Sequence, residues 1–201
     1  MAKFDFRTDR KDLYSPSARD FSVVDVPEFD FLMVDGRGNP NTSVEYAQAL
    51  EALYSLSYTV KFASKQQLGK DYVVGPLEGL WEADDPSAFT ARAKDEWRWT
   101  MMIRQPEWLT GDVWETARAA VAAKGLPGFD RVRHETYADG RSVQIMHVGS
   151  YDDEGPVMAR MHRWIADNAQ KEGKAHHEVY IGDPRKSAPE RLRTVLRQPL
   201  A

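Results

Sequence analysis

Two stretches of this chain run through the same order of elements and close on the same three residues, a repeat that sharply limits the folds open to it. From residue 29 to 106 the order reads strand, glycine-containing turn, helix, strand, strand, and from 143 to 199 it recurs. Each copy ends in Arg-Gln-Pro, at Arg104-Gln105-Pro106 and at Arg197-Gln198-Pro199. Three matching residues are weak by themselves, but their place at the end of matching orders favours duplication. Two βαββ units would each have one sheet face covered by helices. Their remaining faces and edges then meet across a central cleft. The expected class is α+β: a pseudo-two-fold pair of βαββ units with antiparallel sheets, helices on one face and a ligand cleft between the halves.

Punctuation by proline and glycine divides the chain. Residues 1–20 are polar and read as an N-terminal arm, 21–107 as the first half, 108–140 as a crossover helix with its connection, and 141–201 as the second half of a single domain. Phe21 to Val26 and Phe29 to Val34 are β-rich runs separated by Pro27. The loop Gly36-Arg37-Gly38-Asn39-Pro40-Asn41 invites a phosphate reading, yet it lacks the third glycine, Lys and Ser/Thr of nucleotide-binding loops. Thr42 or Ser43 caps a helix to about Ala63. Thr110 caps another from about Gly111 to Lys124, and a third runs from about Gly155 to Gln170. Val132 to Tyr137 and Val143 to Val148, joined by Asp139-Gly140, read as a hairpin.

The candidate site begins with His176-His177-Glu178-Val179-Tyr180. Strand alternation puts His176, Glu178 and Tyr180 on one face and His177 and Val179 on the other. From the strand alone, a solvated Glu on an edge strand is the simpler reading. If the face lines a pocket, the carboxylate offers a counter-charge and the ring a stacking surface for a flat, cationic molecule. Tyr54 and Tyr58 lie one turn apart on a helix, a spacing that serves either a core stripe or a ligand wall. Leu77, Gly79 and Trp81 share a strand face, and Gly79 leaves room for a close approach beside Trp81.

A chain of 201 residues with a formal charge of -4 and no cysteine, and a pI near 5.8, has no general attraction for nucleic acid or anionic membrane. It offers no thiolate chemistry and no Cys metal site. With no long apolar run and a polar start, a soluble cytoplasmic protein without a membrane anchor is expected, as monomer or homodimer. Adjacent His176 and His177 point to opposite faces, which argues against a metal site. No Gly-x-Ser-x-Gly elbow supports a serine triad, and His147 reads as a core or edge histidine. Asp152-Asp153-Glu154 reads as helix capping. The basic residues Arg185, Lys186, Arg191, Arg193 and Arg197 read as a solvated face.

Several motifs in order along the chain resemble one known family. They are Lys11-Asp12-Leu13-Tyr14, Gly36-Arg37-Gly38-Asn39-Pro40-Asn41, Leu53-Tyr54-Ser55-Leu56-Ser57-Tyr58, Pro76-Leu77-Glu78-Gly79-Leu80-Trp81, Met102-Ile103-Arg104-Gln105-Pro106, His147-Val148-Gly149-Ser150-Tyr151-Asp152-Asp153-Glu154 and His177 to Lys186. Together they resemble the GyrI-like small-molecule-binding proteins, and more narrowly the stand-alone branch that includes hydrolases of cyclopropanoid DNA-alkylating compounds. The resemblance implies a cofactor-free cleft for hydrophobic or cationic compounds, with Glu178 as its buried glutamate. It implies walls of Tyr54, Tyr58, Trp81 and Tyr180, Tyr151 at the mouth, and Trp99 and Trp164 as further ring residues. Glu178 and Tyr180 would carry any hydrolysis, the tyrosines Tyr54, Tyr58 or Tyr180 supplying a donor to the developing oxyanion. Non-catalytic sequestration, or a gyrase contact as in the gyrase-inhibiting members, are the alternatives.

Overall fold

A computed structural model describes residues 3–85, 87–173 and 175–201; the first two residues of the arm lie outside them. Eight strands form one antiparallel sheet: β1 (Ser22–Val26), β2 (Phe29–Arg37), β3 (Leu77–Ala83), β4 (Trp97–Gln105), β5 (Arg133–Tyr137), β6 (Gly140–Val148), β7 (His176–Tyr180) and β8 (Arg193–Pro199). Their spatial order is β1-β6-β8-β7-β3-β4-β2-β5. The order is the same from either end under exchange of the two repeats, so the pseudo-two-fold passes between β3 and β7. Duplicated βαββ units are thus present, with the central seam where the repeat placed it.

The 133–137 and 140–148 segments do not form a hairpin. β5 pairs with β2, and β6 pairs with β1 and β8. In the same way β1, which precedes the first repeat, pairs across to the second. These exchanged edges force the sheet to curl. Only Pro27 and Glu28 separate β1 from β2, so Val26 and Phe29 lie within about 11 Å, whereas six strand spacings in a flat sheet would put them about 29 Å apart. The link of Ala138 and Asp139 between β5 and β6 imposes the same closure from the other side. The result is a half-barrel.

The inside of the curl holds Phe29, Phe31, Met33, Leu80, Met102, Met146, Val179 and Val195. Residues 3–20 plug it: two short helical turns, α1 (Phe6–Asp9) and α2 (Lys11–Tyr14), bury Phe6, Leu13 and Tyr14. Beneath β7 the interior becomes charged. His177, 1 % exposed, sets Nδ1 2.7 Å from Asp139 and Nε2 3.0 Å from Glu78. Arg197 holds Asp139 at 3.1 Å and the carbonyl of Leu13 at 2.9 Å, while the Tyr14 hydroxyl donates to Glu78 at 3.1 Å. Burial works against charge on His177, but the charge and hydrogen bond of Asp139, with those of Glu78, outweigh it and raise the imidazole to about 9. The arm is tied by the same groups that fix the register of β7.

Helices cover the other face in two blocks. α3 (Val44–Leu68) starts where the Ser43 hydroxyl accepts from the Tyr46 amide and ends at left-handed Gly69, a turn beyond the expected end. With α5 (Gly111–Ala122) it seals Leu32, Val34, Met101 and Ile103. α6 (Gly155–Asp167) sets Met161 and Ile165 on Val143, Ile145 and Leu196. A short helix, α4 (Ser87–Thr90), lies between β3 and β4 in sequence. Neither helical block covers β3 and β7, and the gap between them is the cleft.

Candidate functional site

The floor of the cleft is the outer face of the β3–β7 pair, where Leu77 lies opposite Tyr180, Gly79 opposite Glu178 and Trp81 opposite His176. Tyr46, Tyr54 and Tyr58 from α3 form one wall, Met158 of α6 and the preceding Tyr151 and Glu154 the other, and Trp97 closes one end; the cavity is about 1670 Å³. That exceeds the size that holds a drug-like ligand.

Glu178 is held by a short relay. The Trp81 indole nitrogen donates to the Tyr180 hydroxyl at 2.9 Å, and that hydroxyl donates to Glu178 Oε2 at 2.7 Å. Gly79 makes the relay possible, because a Cβ there would lie 3.0 Å from Trp81 Nε1 and 3.2 Å from Met101. What approaches the glycine backbone is the indole itself. Tyr180 thereby spends its proton on Glu178, and burial followed by the Glu178 charge keeps its hydroxyl well above the usual phenol range. It orients the carboxylate.

Tyr54 and Tyr58 stack with centroids 6.4 Å apart, and Tyr58 is 49 % exposed at the mouth. Tyr151 meets Tyr180 edge-on at 5.6 Å. Trp99 and Trp164 lie elsewhere. The Trp99 ring occupies the space a side chain at Gly36 would need and packs against Tyr46 from below, its indole donating to the Gly38 carbonyl. Trp164 turns toward Phe21 beside the β1 edge. Strand parity and helical spacing gave both the right general face, but neighbouring side chains cover them.

Sequence reasoning also misplaced Arg197, which is 2 % exposed rather than part of a solvated face, and Glu154. Glu154 stands at the N-cap position of α6 yet makes no side-chain cap bond. Instead it is 8 % exposed and borders the cleft. Burial first, and then the charge of Glu178, push its carboxyl up to about 10. Glu154 therefore keeps its proton at neutral pH. Tyr46, Trp97 and His176 also line the cleft. No local sequence signal separates Glu154 from its acidic neighbours Asp152 and Asp153.

The model of the GyrI-like small molecule binding domain matches residues 19–201. The chain belongs to this family. Three solved structures are similar along their whole length. An uncharacterised conserved protein from Listeria innocua is 37 % identical, with 99 % of this chain and 100 % of that one covered and a TM-score of 0.90. Two structures named as a hydrolase from the same organism are 35 % and 34 % identical, cover 100 % and 99 % of this chain and all of theirs, and have TM-scores of 0.87 and 0.83. No curated protein matches the chain. Membership of the family makes this a small-molecule-binding domain, and its described residues contain no helix long and apolar enough to cross a membrane.

Proposed function

We propose that the cleft takes flat hydrophobic molecules, cationic ones included, and hydrolyses cyclopropanoid alkylating compounds among them, as a protective protein. One observation carries this reading: a carboxylate oriented by Tyr180 faces a ring-walled cavity beside a second carboxyl that keeps its proton. The hydrolase names of two similar structures support it.

The rings supply the affinity, each stacked ring adding about 0.5–2 kcal/mol for a cation. For a spirocyclopropyl dienone they also fix the strained carbon against a water held by Glu178. Glu178 takes a proton from that water as its oxygen bonds to the cyclopropyl carbon. The carbon–carbon bond breaks, its electron pair passes into the ring, and the dienone oxygen becomes a phenolate. The proton lost by water ends on that oxygen, so the product is the substrate plus one water. Glu154, already neutral, leaves Glu178 as the sole base and prevents a second buried charge.

Loss of the dienone absorbance, with a product heavier by one water, is the expected result when the protein meets such a compound. Quenching of tryptophan fluorescence with the chromophore intact contradicts the hydrolysis and leaves sequestration, the reading in which the same rings and carboxylate only bind.

A further inference from the structure

His176 stands two residues before Glu178 on the cleft face of β7, opposite Trp81. Its side chain is 13 % exposed, and neither ring nitrogen has a hydrogen-bond partner. The charged contact the ring makes is with Glu178, whose Oε1 lies 3.6 Å from Nε2. A buried polar group left unsatisfied is destabilising. An imidazolium at this position would lie within ion-pairing distance of the carboxylate beside it.

We propose that His176 is the specificity-determining residue of the cleft, admitting a cationic ligand when neutral and excluding it when protonated. The neutral ring leaves Glu178 as an uncompensated negative charge facing the rings. The protonated ring pairs with Glu178, so a cation entering the cleft meets a neutral dyad. A neutral flat ligand does not need that charge and is admitted in both states. The cleft therefore discriminates by charge only when His176 is protonated, excluding cations while still admitting neutral ligands. This rests on the proposed cation-accepting cleft.

The other ionisable groups around this end of the cleft are accounted for. Glu154 is pushed up to about 10 and stays neutral through the imidazole range. Lys94 and Arg92 are paired with Asp152 at the rim, and His162 is bound to Glu172 at 2.5 Å. Tyr46, Tyr151 and Tyr180 are all raised by burial and by nearby groups that include Glu178. Exposed Glu82 also lines the cavity. Among these, His162 is the other imidazole lining the cavity.

The test is tetraphenylphosphonium, a cation with no hydrogen-bonding atom, titrated by tryptophan quenching at about pH 5.5 and about pH 8. A neutral polycyclic hydrocarbon of similar size is the control. The wild type is expected to bind the phosphonium about tenfold more weakly at the lower pH, and His176→Phe to bind it equally at both. His176→Gln, which keeps a polar side chain, is expected to lose the pH dependence as well, and His162→Gln to keep it. A slope that survives in both His176 variants, or a wild type without one, overturns the role of His176. Absence of phosphonium binding at either pH contradicts the cation-accepting cleft itself, and His176 with it.

Discussion

Glu178 and Leu77 occupy equivalent positions of the two repeats: Ile103 lies opposite Leu77 as Leu196 lies opposite Glu178, within matching ends at Ile103-Arg104-Gln105-Pro106 and Leu196-Arg197-Gln198-Pro199. By the same relation Tyr180 corresponds to Gly79. The seam of a symmetric scaffold is therefore asymmetric in chemistry. One repeat contributes an acid and a hydroxyl, the other an aliphatic side chain and an open backbone. Trp81 crosses that opening to bind Tyr180, so the two halves build a single oriented carboxylate.

Gly79→Ala tests the opening. The added methyl meets Trp81 at 3.0 Å and Met101 at 3.2 Å, so the indole must shift to make room. Expected are a loss of about 1–3 kcal/mol in denaturant unfolding and a shifted tryptophan emission as the indole leaves Tyr180. Unchanged emission would contradict the relay.

Tyr180→Phe keeps the ring and removes the hydroxyl. Glu178 loses its orienting donor and Trp81 its acceptor. Turnover should fall by about 10- to 100-fold while KM changes little, because stacking area is retained. A rise in KM at constant kcat would instead make Tyr180 a binding residue.

Glu154→Gln should stabilise the protein. A carboxyl whose folded value is raised to about 10 favours folding only where it is protonated in both states. That contribution is lost as pH rises from the ordinary carboxylate range through 10, so at neutral pH the residue is a burden. The neutral amide removes it, and a gain of about 1 kcal/mol corresponds to a rise of roughly 2–4 °C in Tm for a chain of this size. A lower Tm at pH 7 would show that Glu154 is held charged.

Much of this arrangement was open to reading from residue pattern alone, and what was hidden has physical reasons. Period-two alternation placed Glu178 and Tyr180 on one face and His177 on the other, because a strand allows nothing else. The repeat placed β3 and β7 together at the seam. The edge exchange was hidden, since Asp139-Gly140 between two β-rich runs is the signal of a hairpin. Here Asp139 is instead drawn inside by His177 and Arg197. Glu154 and Trp99 were hidden for a related reason: burial is decided by parts of the chain distant in sequence, as where the Trp99 ring fills the space beside Gly36.

The interior network predicts its own pH profile. His177, raised to about 9, contributes stability in full below its unfolded value near 6.5 and loses it as pH climbs through 9. Asp139 is held below the usual carboxylate range by His177 and Arg197 against the cost of burial, so its contribution is present above about pH 4 and lost in acid. Thermal unfolding of Glu154→Gln, which removes the other titration in the alkaline window, should still peak between about pH 4 and 6.5. Asp139→Asn should cost about 3–5 kcal/mol and flatten the alkaline limb. A stability maximum at pH 9 in the parent would contradict the imidazolium.

The central claim is that Glu178 acts as a base on a ring-bound, strained substrate, and a single-turnover comparison tests it most directly. Wild type and Glu178→Gln are each mixed in excess with a spirocyclopropyl dienone while absorbance and tryptophan fluorescence are followed together. The account predicts equal quenching in both proteins, rapid loss of the dienone band with a hydrated product in the wild type, and a rate lower by about 100-fold or more in the variant. Equal rates in the two proteins, or quenching without any chemistry in the wild type, would contradict it.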